Sequence, residues 1–178
     1  MFVYDVFISY SSRDKEWVRS DLLHRIEEKG YRAFIDFRDF KPGAPAIKEM
    51  ERGLMTCRKT LLVLTPAYLE SEWYEIETMM LQVLSPANKD LRMIPLLKSE
   101  CEKPLSMKGL THIDFTASAD LDLAWTQLIE TLLTTIGAPR AVLMNNSQSK
   151  RDVGMRQGHA ETSRPPIWAT NQEPAESV

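Results

Sequence analysis

Hydrophobic and polar positions alternate in blocks along the chain, with short apolar runs followed by apolar residues spaced three and four apart. Residues 3–9, VYDVFIS, are a β-branched and aromatic run that predicts a buried strand. In SSRDKEWV, Ser11 and Ser12 are candidate N-caps with Asp14 in the first turn. Trp17, Val18, Leu22, Leu23 and Ile26 then recur at helical spacing until Gly30 ends the helix. YRAFIDF, 31–37, predicts a second strand, and RDFKPGAP, 38–45, a loop. A second helix is expected over about 46–57, with Ile47, Met50, Leu54 and Cys57 on one stripe. TLLVLT, 60–65, is apolar almost throughout, as suits a central strand buried on both faces. Thr65-Pro66 marks a helix start, and helical spacing runs from about 70 to 84. LRMIPLL, 91–97, predicts a fourth strand, with Pro95 pointing to a sheet edge or a strand end. THIDF, 111–115, is a fifth strand. The last helix covers 121–136, with Leu123, Leu128, Ile129, Leu132 and Leu133, and is stopped by Gly137 and Pro139.

Strand and helix alternating in this way imply an α/β fold, a parallel sheet with helices on both faces. Ligands of such open sheets lie at the carboxyl ends of the strands, here in the loops at 9–13, 38–45 and 65–72. Residues 139–178 are dominated by Asn, Ser, Gln, Pro and Glu, and are read as a disordered tail or linker. The domain is expected to be 1–138.

Composition narrows the function. A net charge of −3 and a pI near 5.7 offer no general attraction to nucleic acid or to a membrane surface. No apolar run approaches the ~20 residues that cross a bilayer, and the first ten residues carry no signal-peptide pattern. Cys57 and Cys101 lack the spacing of a disulfide framework or a zinc site, so no metal is expected. The expectation is a reduced, soluble, cytoplasmic protein. GxGxxG, Walker A and GxSxG sequences are absent. His24, His112 and His159 read as surface or packing residues.

The glutamates of SEWYEIET, 71–78, are more informative. With about 100° per residue, Glu75 and Glu72 have routes to water, whereas Glu77 falls on the side of Trp73, Ile76 and Met80. An unpaired carboxylate there is costly. Periodicity leaves two readings open: a rim glutamate paired with a basic residue of another element, or a carboxyl group perturbed for chemistry.

Three motifs in order resemble the Toll/interleukin-1 receptor (TIR) domain family. YDVFISYSSRD, 4–14, is similar to its first box; RDFKPG, 38–43, to its second; and SEWYEIE, 71–77, to its S-x-W-C-x-x-E segment, with Tyr74 for the cysteine. The FW-type third box of animal receptors is not evident near 113–125, where IDFTASADLDLAW stands. The resemblance implies a flavodoxin-like fold of five parallel strands.

It also implies two functional classes. Some members are adhesive modules, binding other TIR domains through the second-box loop, here 38–45. Others cleave NAD+ at the nicotinamide–ribose bond, yielding nicotinamide and ADP-ribose or a cyclic isomer. In these the glutamate four residues after the tryptophan is catalytic, which places that role on Glu77, with Trp73 as a wall of the site. Tyr10, Ser11 and Ser12 correspond to the loop meeting ribose or pyrophosphate. Some NAD+-cleaving relatives carry arginines where Ser11 and Ser12 stand, and Arg13 is the nearest substitute. Arg38 and Lys41 would add positive charge near the same cleft. The expectation is an NAD+ hydrolase or cyclase needing no cofactor, active on self-assembly in defence signalling. The alternative is a non-catalytic TIR adaptor or microbial mimic.

Overall fold

The β-branched and aromatic runs pair in parallel as a five-stranded sheet of order β2-β1-β3-β4-β5 in the computed structural model. It describes residues 2–71, 78, 80–103 and 105–139, all of which lie in the unit Met1–Leu143. The strands are β1 (Tyr4–Ser9), β2 (Ala33–Phe34), β3 (Cys57–Leu64), β4 (Met93–Leu97) and β5 (Ile113–Asp114). β3 is central, in register with β1 from Tyr4↔Cys57 to Ser9↔Leu62 and with β4 from Thr60↔Met93 to Leu64↔Leu97. Leu61, Leu62, Val63 and Leu64 are all fully buried, because helices cover both faces. One face packs Val18, Leu22 and Ile26, with Ala124, Leu128 and Leu132 of the last helix (Leu121–Ile136), against Val6, Ile8 and Val63. The other packs Met50 and Leu54 of the Ala46–Thr56 helix, with Tyr68 and Leu81, against Phe7, Leu62 and Leu64.

Residues 12–28 are helical but not uniform. A 3-10 turn (Ser12–Asp14) leads to α-helix (Lys15–Trp17), a six-residue π segment (Val18–Leu23) and α-helix again (His24–Glu28). Gly30 ends the run as predicted. Its φ is +83°, its N–H reaches Glu27 at 2.8 Å and that of Tyr31 reaches Ile26 at 3.2 Å, the paired bonds of a Schellman motif.

Four expectations change. β2 spans Ala33–Phe34 rather than 31–37, because residues Asp36–Asp39 form a helical turn and the Asp39 carboxylate accepts the Ile35 N–H at 2.8 Å. Cys57 opens β3 instead of closing the preceding helix, since its partner Tyr4 draws it into the sheet. Pro95 lies inside an interior strand, opposite Leu62, not at a sheet edge. It is tolerated because β5 pairs only with Leu96 and Leu97, so the N–H that proline lacks would fall beside residues preceding β5. On the last helix Leu128 and Leu132 are buried, but Leu123 and Leu133 face solvent while Ala124 and Trp125 take core positions. Residues 140–178, read as tail or linker, lie outside the described residues.

Candidate functional site

The chain runs from β1 outward to β2 and returns across the sheet to β3, so strand order reverses between β1 and β3. Loops leaving the carboxyl ends of these two strands diverge, and a crevice opens between them. Here it is a cleft of about 250 Å³. Phe7, Ile8, Ser9 and Tyr10 line it from β1 and the residue following. Asp36 and Phe40 come from the segment after β2, Ala46 and Met50 from the next helix, and Tyr68 from the turn after β3.

Each wall is held by a side chain of another. The Tyr10 hydroxyl donates to Asp36 Oδ1 at 2.6 Å. Burial and the neighbouring Asp36 carboxylate push the Tyr10 phenol well above the ordinary tyrosine range. Ser9 Oγ donates to the Tyr68 hydroxyl at 3.2 Å. Thr65 caps the turn Pro66–Leu69, its Oγ1 accepting the Tyr68 N–H at 3.1 Å while donating to Asp14 Oδ2 at 2.8 Å. Pro66 sits in the first turn, where its missing N–H costs nothing.

Of the residues singled out from the sequence, Tyr10 lines the cleft. Ser11 Oγ accepts the Arg13 N–H at 3.4 Å, capping the 3-10 turn on the rim. Ser12 and Arg13 are exposed, Arg13 reaching Glu70 at 4.0 Å. Arg38 and Lys41 are not part of the lining. The Arg38 guanidinium bonds Glu27 at 2.7 Å, Asp39 at 3.2 Å and the Ala33 carbonyl. Lys41 is exposed, its backbone N–H donating to Glu49 Oε2 at 3.1 Å. Its loop turns at Pro42-Gly43, with Gly43 at φ +82° and the Ala44 N–H on the Lys41 carbonyl at 3.1 Å, as in a type II turn. Trp73 and Glu77 lie outside the described residues. Ser71, two residues before Trp73, bonds the Tyr68 carbonyl with both its N–H and its hydroxyl, at 3.1 and 2.6 Å.

Asp36 and Tyr68 were not found from the sequence. Asp36 had a signal, a carboxylate at the carboxyl end of a strand. Tyr68 had none, because an aromatic in the first turn of a helix is ordinarily core. Among the described residues no His, Cys, Asp and Glu cluster could hold a metal ion, and no helix is long and apolar enough to cross a membrane.

Comparison with known proteins agrees with the fold. Toll-like receptor 13 of Mus musculus is 37% identical over 79 residues, 43% of this chain but 8% of that receptor. The chain thus spans a small fraction of this relative's length. The solved TIR domain of the Toll-related receptor TRR-2 from Hydra magnipapillata superposes with a TM-score of 0.63 at 27% identity, covering 73% of this chain and 98% of that one. A TIR-STING receptor from C. gigas superposes at 0.56 and 25% identity, covering 70% and 40%. The family model described as TIR domain matches residues 6–132, from within β1 to the last helix, and the chain belongs to that family.

Proposed function

We propose that this TIR domain is an NAD+ nucleosidase, cleaving the nicotinamide–ribose bond to give nicotinamide and ADP-ribose or a cyclic ADP-ribose isomer. The observation that carries the reading is the cleft at the β1/β3 reversal. One wall ends in Tyr68, and the chain passes from there through Ser71 into the segment bearing Trp73 and Glu77. Nicotinamide leaves as a neutral molecule from a cationic ring, so the reaction needs no general acid. Positive charge develops on the ribose, and one carboxylate stabilises it. Glu77 takes that role, and Trp73 supplies an aromatic wall. Tyr10, Ser11 and Ser12 would meet the ribose or pyrophosphate by hydroxyl and backbone groups, with Arg13 adding charge at the rim. Lys41 on the 38–45 loop is the other candidate for substrate contact, whereas the Arg38 guanidinium is taken up by Glu27, Asp39 and the Ala33 carbonyl.

The size of the cleft also bears on assembly. About 250 Å³ is below the usual range for a drug-sized ligand, so it accommodates one end of a dinucleotide. The remainder would lie against a neighbouring copy, which makes activity depend on TIR–TIR association, with the 38–45 loop as one contact. The likeness to a Toll-like receptor supports a place in cytoplasmic immune or defence signalling. The same likeness favours a second reading, a non-catalytic scaffold that assembles with other TIR domains through that loop.

The test is concentrated protein with NAD+, compared with Glu77→Gln, following nicotinamide by chromatography. Release lost in the variant supports the nucleosidase, and the co-product distinguishes hydrolysis from cyclisation. Equal release from both removes Glu77 from the mechanism. No release, even with a crowding agent to force assembly, favours the scaffold.

A further inference from the structure

We propose that Asp14 is a positioning residue for the cleft, acting through Thr65; the kinetic part of this inference rests on the nucleosidase reading. The carboxylate of Asp14 accepts the Thr65 hydroxyl at 2.8 Å, joining the loop after β1 to the residue at which β3 becomes a helical turn. Both ends of this bond are fixed. The Asp14 N–H donates to the Ser11 carbonyl at 2.8 Å, so its position is set by the turn carrying Ser11 and Ser12. Thr65 is 3% exposed, and its single hydroxyl proton goes to Asp14, leaving the oxygen to accept from the Tyr68 N–H.

The consequences run along the chain. Tyr68 lines the cleft, and its carbonyl holds Ser71, the last described residue before Trp73 and Glu77. Asp14 therefore sets the register between a rim that meets the substrate and the turn from which the glutamate-bearing segment departs. Without it the Thr65 hydroxyl proton is free to turn elsewhere, and the cap on Tyr68 loses its fixed direction. Asp14 itself is absent from the cleft lining, so it acts on turnover through geometry.

The experiment compares Asp14→Ala, Asp14→Asn, Thr65→Val and the Asp14→Ala/Thr65→Val double variant in the full chain. Each is assayed for nicotinamide release from NAD+ and for amide hydrogen exchange at Tyr68 to Ser71. Asp14→Ala should lower kcat by about tenfold to a hundredfold, as small misplacements of reacting groups do, with little change in KM. Asn keeps an acceptor oxygen and should restore most of the rate. The double variant should lose no more than the worse single one. An unchanged kcat in Asp14→Ala, or additive losses, would overturn the proposal. If the wild type releases no nicotinamide, the nucleosidase reading fails by itself, and the tie is judged by exchange. Faster exchange confined to Tyr68–Ser71 in Asp14→Ala, reversed in Asp14→Asn, upholds it; unchanged or uniformly faster exchange refutes it.

Discussion

The Tyr10 hydroxyl and the Asp36 carboxylate meet at 2.6 Å, joining the loop after β1 to the turn after β2 at the mouth of the cleft. The bond crosses between segments that the sheet does not otherwise connect there, so its loss should be felt by both. Tyr10→Phe and Asp36→Ala should each lower stability by about 0.5–1.5 kcal/mol in urea unfolding. The double variant should cost no more than the larger single loss plus a few tenths, since the two partners share one interaction. Fully additive losses would mean that each side chain is held by something else.

Arg38 separates two roles that its motif could serve. Just before β2 the backbone carbonyl of Arg32 turns toward β1, where it accepts the Asp5 N–H at 2.9 Å. The alternate residues Ala33 and Ile35 turn to the open side of this edge strand, and there Arg38 takes the Ala33 carbonyl while Asp39 takes the Ile35 N–H. Arg38→Ala should therefore lower stability by about 1–3 kcal/mol and leave KM for NAD+ unchanged. Arg38→Lys should recover only part, because an ammonium cannot reproduce the fork that serves Glu27, Asp39 and Ala33 together. A raised KM with unaltered thermal unfolding would instead assign Arg38 to the substrate.

Gly53 lies where the Ala46–Thr56 helix crosses the sheet. A Cβ there would stand 2.9 Å from Phe34 Cε1 and 3.3 Å from Phe7 Cδ2. Phe34 is fully buried and packed edge-on to Phe7 at 5.7 Å between ring centroids, so its ring cannot withdraw without displacing Phe7. Overpacking of about 1–3 kcal/mol opposes a helix-propensity gain of about 1 kcal/mol. Gly53→Ala should come out destabilised, seen as a lower denaturant midpoint. A higher midpoint would show that the helix can lift away from the sheet.

Stability should fall at alkaline pH. Burial pushes the Cys57 thiol from 9.0 up to about 12. Below about pH 9 both folded and unfolded chains keep the proton, and pH has no effect through this group. Above it the unfolded chain ionises while the folded chain does not, so stability drops by up to about 1.4 kcal/mol per pH unit. Cys57→Ala should remove that slope between pH 9 and 10. Above the ordinary tyrosine value of 10.0, the raised Tyr10 phenol adds its own decline, which Tyr10→Phe should abolish. An identical profile in Cys57→Ala would show that the thiol titrates normally.

Elements whose local chemistry agreed with their packing were legible in the sequence. The 60–65 run, the Thr65-Pro66 start and Gly30 all signal the same structure locally and globally. β2 was overestimated because YRAFIDF has strand composition throughout, and only Asp39, from beyond the run, diverts Ile35 into a turn. Cys57 follows the helical stripe by spacing, but the sheet decides it. Pro95 points to a sheet edge or a strand end because a sequence does not reveal how far the next strand extends along its neighbour. In the site, Tyr10 was legible from its motif, whereas Asp36 and Tyr68 join the cleft through topology. Which residues face one another across the β1/β3 reversal depends on the connection through β2, which no local pattern encodes.

The π segment at Val18–Leu23 fixes how much the first helix can vary in length. Such segments hold one residue more than α geometry would place in the same span. Deleting a residue there would turn the segment into ordinary helix while leaving the turns on either side in phase. Trp17 would stay against Phe115 and Trp125, whose rings lie 5.6 and 6.1 Å from its own. Asp14 would likewise keep Thr65. A deletion within His24–Glu28 has no such slack and would rotate everything before it by about 100°. The segment is thus a counting device: it takes up one residue without changing the phase of the helix, and so preserves the alignment of the cleft.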